Sequence, residues 1–218
     1  MQTVALIDYG SGNLPSAEKA LRKVAATLDS PMAVVTTSAP EIIAAADRIV
    51  LPGVGAFAAC RAALEARAGV LEAMTHAVLS RGAPFLGVCV GMQLLATRGL
   101  EFRVTQGLGW VPGEVRLLTP AGAGLKIPHM GWNSLEAPDG GPLEGPLFAG
   151  LTSGVHMYFT HSFALFPDNP GHATANTDHG GAFTAAVVKD NVAGVQFHPE
   201  KSQGAGARLL RNFLEWRP

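Results

Sequence analysis

The 218-residue chain is short of the residues that would staple, charge or anchor it. Its two cysteines, Cys60 and Cys89, are too few for a disulfide framework and sit in unlike contexts, so a reducing compartment is expected and each thiol is read separately. Charge of one sign is missing as well. Sixteen Lys+Arg against seventeen Asp+Glu leave a net charge of -1 with no run of like charges, which argues against electrostatic attraction to nucleic acid or a membrane surface. Long hydrophobic runs are lacking. A spanning helix needs roughly 20 mostly apolar residues with intact helical hydrogen bonds. The uncharged stretch 82–97 is too short, and 145–167 is interrupted by Pro146, Gly150, Gly154, His156 and His161. Residues 1–3 have no basic n-region, so no signal peptide is expected. The histidines and acids lack ligand spacing, so neither a metal nor another cofactor is expected. Gly10-Ser11-Gly12 follows a first strand, but Pro15 and Ser16 stand where the third glycine of a dinucleotide fingerprint would lie. What remains, 48% apolar residues with no linker and no internal repeat, can bury a core unaided. One cytoplasmic domain over residues 1–218 is the expectation.

The first half alternates strand and helix patterns. Apolar strands are expected at 3–9, 32–36, 48–51 and 84–88, with helices at 13–28 and 70–79. Strands that are apolar throughout favour a mostly parallel sheet with helices on both faces, a three-layer α/β sandwich. The second half changes character. Residues 107–125 are rich in Gly, Pro and β-branched residues, 155–166 alternate with a period of two, and 182–188 with 192–197 read as a hairpin around Lys189-Asp190-Asn191. A small antiparallel elaboration and a closing helix to Trp216 complete the expected fold.

Gly87-Val88-Cys89-Val90-Gly91 ends a strand and leads into the helix-forming Met92-Gln93-Leu94-Leu95-Ala96. A nucleophile on such a turn sits in strained backbone, and flanking glycines remove Cβ clashes. A helix N-terminus behind the sulfur would favour its negative charge, and the Val90 amide points to where a carbonyl oxygen would become an anion. Cys60, in a helix-like run of alanines, reads as a buried structural thiol. Cys89 needs a base, and His198 ends an apolar strand before Pro199-Glu200. In extended chain Glu200 would share a face with His198, hold one ring nitrogen and leave the other free for the thiol proton. His161 is the rival base, but it has no acidic residue close by in sequence and reads as a pocket residue. Together these residues describe a cysteine nucleophile, a base and an orienting acid.

The elbow, with Gln93 four residues after Cys89, and Gly194-Val195-Gln196-Phe197-His198-Pro199-Glu200 resemble the two signatures of the class I glutamine amidotransferases, and Pro52-Gly53-Val54-Gly55 resembles that family's oxyanion loop. Asp8-Tyr9-Gly10-Ser11-Gly12-Asn13-Leu14, Pro128-His129-Met130-Gly131-Trp132-Asn133 and His198-Pro199-Glu200-Lys201-Ser202 extend the resemblance to the glutaminase subunits of imidazole glycerol phosphate synthases. The resemblance implies hydrolysis of L-glutamine through a thioester on Cys89, with His198 and Glu200 completing a triad. Backbone amides of Val90, Gly53 and Val54 would stabilise the oxyanion, and Gln93, His161, Ser162 and Phe163 would hold the substrate. Phe163 stands where the family often has Tyr. The implied partner is a cyclase subunit that receives the ammonia, with Asn13, Trp132, Tyr158 and Lys201 at its interface. Trp132 could equally be a core aromatic, and Lys201 simply solvated. The peptide between Gly53 and Val54 is expected to be able to turn over. Three other readings stand beside this one: a glutaminase feeding another synthase, a free-standing cysteine hydrolase of γ-glutamyl or peptide bonds, and a non-catalytic binding module. Residues 128–133 weigh against the first and the intact triad against the last.

Overall fold

Short runs of β-branched and aliphatic residues build the middle of the molecule, and their burial reports how they are covered. The computed structural model describes residues 1–121 and 124–218. In chain order, β1 (Thr3–Ile7), α1 (Leu14–Ala25), β2 (Ala33–Thr37), α2 (Pro40–Ala45), β3 (Arg48–Gly53), α3 (Phe57–Glu65), α4 (Val70–Thr75) and β4 (Phe85–Cys89) form the alternating half. All residues of β3 and β4 are buried, which requires helices over both faces of the sheet. The second half adds α5 (Val90–Gln93), β5 (Arg98–Gly99), β6 (Thr105–Gln106), β7 (Gly113–Leu117), β8 (His129–Ser134), β9 (His156–His161), β10 (Phe163–Pro167), β11 (Ala173–Asp178), β12 (Ala182–Lys189), β13 (Val192–Val195) and α6 (Gln203–Glu215).

The main sheet runs β11-β12-β13-β4-β3-β1-β2. From β13 to β2 its neighbours are parallel, and the β11–β12–β13 edge is antiparallel. α1 packs on α6, and α2 packs on α4. Two small sheets stand beside it, β10-β7-β5-β6 and the antiparallel pair β8-β9. The expected α/β sandwich with an antiparallel elaboration is therefore the observed architecture. Among the described residues no helix is long and apolar enough to cross a membrane.

Several elements differ from the sequence expectation. β3 continues through Pro52 and Gly53, because both stay in register with Val88 and Cys89 of β4. The first helix stops at Ala25, α2 is a helix that the pattern did not mark, and the helix-like run around Cys60 is α3. The helix after Cys89 lasts one turn only. The carbonyls of Leu94, Leu95 and Ala96, which a longer helix would use, accept instead from the amides of Leu108, Val111 and Gly109. The 155–166 alternation is two strands that part at Ser162 and join different sheets. Of the 107–125 segment, residues 122 and 123 lie outside the described residues.

Candidate active site

The parallel register of β3, β4 and β13 brings three chain segments to one edge of the sheet. Gly53 lies level with Cys89, and Val195 with Val88, so the residues that follow each strand meet around the sulfur. Cys89 has φ 55 and ψ -112, a conformation an L-residue adopts only when the surroundings enforce it. The enforcing contacts are close. A Cβ on Gly91 would come within 1.9 Å of the Leu51 carbonyl oxygen, and one on Gly87 within 2.5 Å of the Gly91 carbonyl oxygen, so only glycine lets the elbow lie against β3. With α5 a single turn, no long helix dipole stands behind the sulfur.

His198 and Glu200 meet the nucleophile from β13. The chain does not stay extended there, as expected from the sequence, but forms a 3-10 turn over Pro199–Lys201. That turn still delivers the carboxylate. His198 Nδ1 donates to Glu200 Oε1 at 2.8 Å, with both side chains buried. Burial disfavours the imidazolium, but the Cys89 thiol and then the Glu200 carboxylate outweigh it and hold His198 at about 9. Among the described residues, Nε2 of His198 is buried without a hydrogen-bond partner. The backbone is pinned as well: His198 N–H donates to Tyr158 O at 2.9 Å and Ser202 Oγ donates to His198 O at 2.7 Å.

A cleft of about 320 Å³ opens over Cys89, and Gln93, His161, Ser162 and Phe163, the expected substrate residues, all line it. Gln93 Nε2 donates to Phe163 O at 2.8 Å, so at Phe163 the main chain carries this contact. His161 Nδ1 donates to the same carbonyl at 2.9 Å, and burial first of all drives His161 down to about 3. A neutral ring held this way suits a wall better than a base. The cleft also contains Glu101, which the sequence did not single out; its Oε2 accepts from Phe57 N–H at 2.7 Å. Gln196 was missed too. It is fully buried and donates to Cys89 Sγ at 3.6 Å. It follows the last residue of β13, and its contact with Cys89, 107 residues away, has no local sequence signal.

The opposite wall is the 52–55 loop. Val90 and Val54 both line the cleft, and Gly53 packs tightly under the elbow, where a Cβ would stand 2.7 Å from Gly91 N. The Val54 N–H, expected at the oxyanion position, donates instead to Ser11 Oγ at 3.3 Å. Ser11 Oγ in turn donates to Val54 O at 2.9 Å, and Cys60 Sγ does so at 3.2 Å. Cys60 is thus buried as expected, but beneath the loop rather than in anonymous core. Tyr9 adds a donor from its hydroxyl to Pro52 O at 2.7 Å.

Of the four residues expected at a partner surface, three are gathered. Trp132 and Tyr158 are register partners in the β8–β9 pair with rings 6.1 Å apart, and Lys201 Nζ stands 5.5 Å from the Tyr158 ring centroid. Trp132 is 47% exposed, so it is not a core aromatic. Asn13 is exposed just before α1 and caps nothing with its side chain; it shares a small cavity with Pro52, Gly53 and Glu200.

The chain matches the family described as Glutamine amidotransferase class-I over residues 5–216. It is 61% identical to the imidazole glycerol phosphate synthase subunit HisH of Caulobacter vibrioides, with all of both chains covered. It is 51% identical to the protein of the same name from Bradyrhizobium diazoefficiens, over 99% of this chain and 100% of that one. Among solved structures it resembles a glutamine amidotransferase at TM-score 0.69 and 19% identity, covering 97% of each chain. It also resembles a glutamine amidotransferase of Thermotoga maritima at TM-score 0.59 and 15% identity, covering 98% of this chain and 96% of the other.

Proposed function

The chain belongs to the class-I glutamine amidotransferase family, and from that premise we propose that it is the glutaminase subunit of an imidazole glycerol phosphate synthase. As one domain over residues 1–218, it hydrolyses L-glutamine to L-glutamate and ammonia. The ammonia passes to a cyclase subunit, which forms imidazole glycerol phosphate and an aminoimidazole carboxamide ribotide in histidine biosynthesis in the cytoplasm. The observation that carries this reading is the 61% identity over the whole chain to a protein of that name, joined to the buried Cys89 and His198 and the Glu200 carboxylate paired with His198.

The chemistry follows from the site. Cys89 sulfur, its proton already on His198, attacks the side-chain amide carbon of glutamine. The resulting tetrahedral oxyanion is met by the Val90 amide and by one from the Gly53-Val54 segment. An imidazolium that titrates near 9 keeps its proton at neutral pH until the C–N bond breaks and ammonia leaves with it. Water, giving a proton to His198, then attacks the thioester; glutamate departs and the thiol is restored. Glu200 orients the ring and balances its charge throughout. For the Val54 amide to join in, the Gly53-Val54 peptide must turn and its N–H must leave Ser11. Gly55, at φ 95 in open space, supplies the freedom on the far side. Ser11 therefore holds the glutaminase low until a partner at the Trp132, Tyr158 and Lys201 surface, with Asn13 beside the loop, shifts the balance.

The test is ammonia release from L-glutamine by the chain with its cyclase subunit carrying a substrate analogue, compared with the chain alone and with Cys89→Ala. Release that needs both Cys89 and the liganded partner is the expected result. Release that needs Cys89 but ignores the partner assigns the chain to another synthase or to free-standing hydrolysis. Release unaffected by Cys89→Ala overturns the site.

A further inference from the structure

The Cys89 sulfur is not solvated on its β13 side but faces a carboxamide that nothing in the reaction scheme uses. We propose that Gln196 is a positioning residue, holding the nucleophile with one end of its amide and the substrate-wall Gln93 with the other, at the inner end of an uncharged hydrogen-bond chain that starts at Asn133. The direction of every link follows from which groups can only accept. Phe163 O is a carbonyl, so Gln93 must offer it N–H, and Gln93 Nε2 also reaches Gln196 Oε1 at 3.0 Å. Both hydrogens of the Gln93 amide are then taken inside the protein, and only Gln93 Oε1 can meet a ligand. With Oε1 of Gln196 accepting, its Nε2 must be the end that donates to Cys89 Sγ at 3.6 Å.

The outer end is fixed just as firmly. His161 Nδ1 carries a proton because it faces Phe163 O, and a neutral His161 has a bare Nε2. His129 Nδ1, 3.1 Å away, must supply that proton, which leaves His129 Nε2 to accept from Asn133 Nδ2 at 3.1 Å. Asn133 is oriented independently of the histidines. Its Nδ2 donates to Asp178 O at 2.7 Å and its Oδ1 accepts from Ser134 N–H at 2.9 Å. Burial keeps both rings uncharged, His129 near 4 and His161 near 3. From β8 to the sulfur, no link has a second arrangement open to it.

This inference rests on the glutaminase reading for its kinetic consequences, but its contact to sulfur can be tested without it. Gln196→Met, in the full chain with its partner subunit, keeps the volume and removes both hydrogen bonds. We expect kcat for glutamine to fall about tenfold and KM to rise about fivefold, the scale of one buried hydrogen bond lost on each side. Alkylation of Cys89 by iodoacetamide, followed by peptide mass spectrometry with Cys60 as internal reference, should slow about tenfold, since an N–H facing the sulfur favours the reactive thiolate. Gln196→Glu, whose carboxylate can accept from Gln93 but cannot donate to sulfur, should restore KM and leave kcat and alkylation slow. Alkylation unchanged in Gln196→Met overturns the proposal. So does a loss shared equally by both variants in proportion to their thermal stability. If Gln196→Met does not fold, Gln196→Glu alone decides: low kcat at unchanged KM supports the proposal, and wild-type values of both overturn it. Wild-type chain that releases no Cys89-dependent ammonia removes the glutaminase reading, while the alkylation rates still decide the role of Gln196.

Discussion

On the β13 side of Cys89, Gln196 and His198 are buried, each hydrogen-bonded through side chain and backbone, and Glu200 is 7% exposed against His198 Nδ1. On the β3 side, Val54 is 45% exposed, and its amide is held by one serine hydroxyl from another loop. The acid–base wall is over-determined and the oxyanion wall is held by contacts that cost little to exchange. Proton transfer needs fixed distances, so the first wall gains from rigidity. The proposed control by a partner needs an element that can exchange its contacts, and the half-exposed Val54 loop is better suited to that than the buried wall.

Breaking the rigid wall should have the largest effect. Glu200→Gln is expected to lower kcat by about 10⁴-fold, the scale seen when the orienting acid of such a triad is neutralised. It should also move the alkaline limb of the rate profile. Glu200 is one of the groups holding His198 up at about 9; without it burial pulls the ring down, so the limb shifts to lower pH. A profile of kcat/KM against pH in both proteins checks the direction.

On the proposed reading, Trp132→Ala should weaken binding of the cyclase subunit by about 2 kcal/mol, roughly thirtyfold, the scale of an aromatic anchor. Titration calorimetry measures it, and the glutamine turnover of the isolated chain should not change. Gly91→Ala tests the junction of the two walls: a methyl 1.9 Å from Leu51 O must displace β3 or the elbow, at a cost of about 1–3 kcal/mol in a denaturant melt. Smallest is Ser11→Ala, which frees the Val54 amide. The substitution removes both hydrogen bonds between Ser11 and Val54; the one to the amide, about 1 kcal/mol, is the one that opposes the turn, so partner-independent ammonia release should rise about fivefold with the partner-activated rate nearly constant. A fall in the isolated rate would show that Ser11 supports the loop rather than restraining it.

Local pattern made much of this legible. The apolar runs at β1, β3 and β4 announced buried parallel strands, and the glycines around Cys89 announced a turn that packing alone would not ask for. The helix after Cys89 is shorter than Met92-Gln93-Leu94-Leu95-Ala96 suggests from helical propensity. The carbonyls that would have extended it are claimed by amides from residues 108–111, and tertiary hydrogen bonds outrank propensity. His198 and Glu200 pair for a reason that spacing half explains: two residues apart, they join through a 3-10 turn rather than extended chain. Gln196 stands in a motif that gives it no role, since its contact with Cys89 spans 107 residues and has no local signature.

The chain order alone singles out the side chains proposed to carry the chemistry, because a cysteine between glycines and a histidine two residues before a glutamate are read from their neighbours in the chain. Only the tertiary structure decided where the Val54 amide points, which end of Gln196 meets the sulfur, and which tautomer each buried histidine takes. Those choices belong to donors and acceptors brought together from segments far apart in the chain, and each is settled only when its partner's own hydrogens have already been assigned.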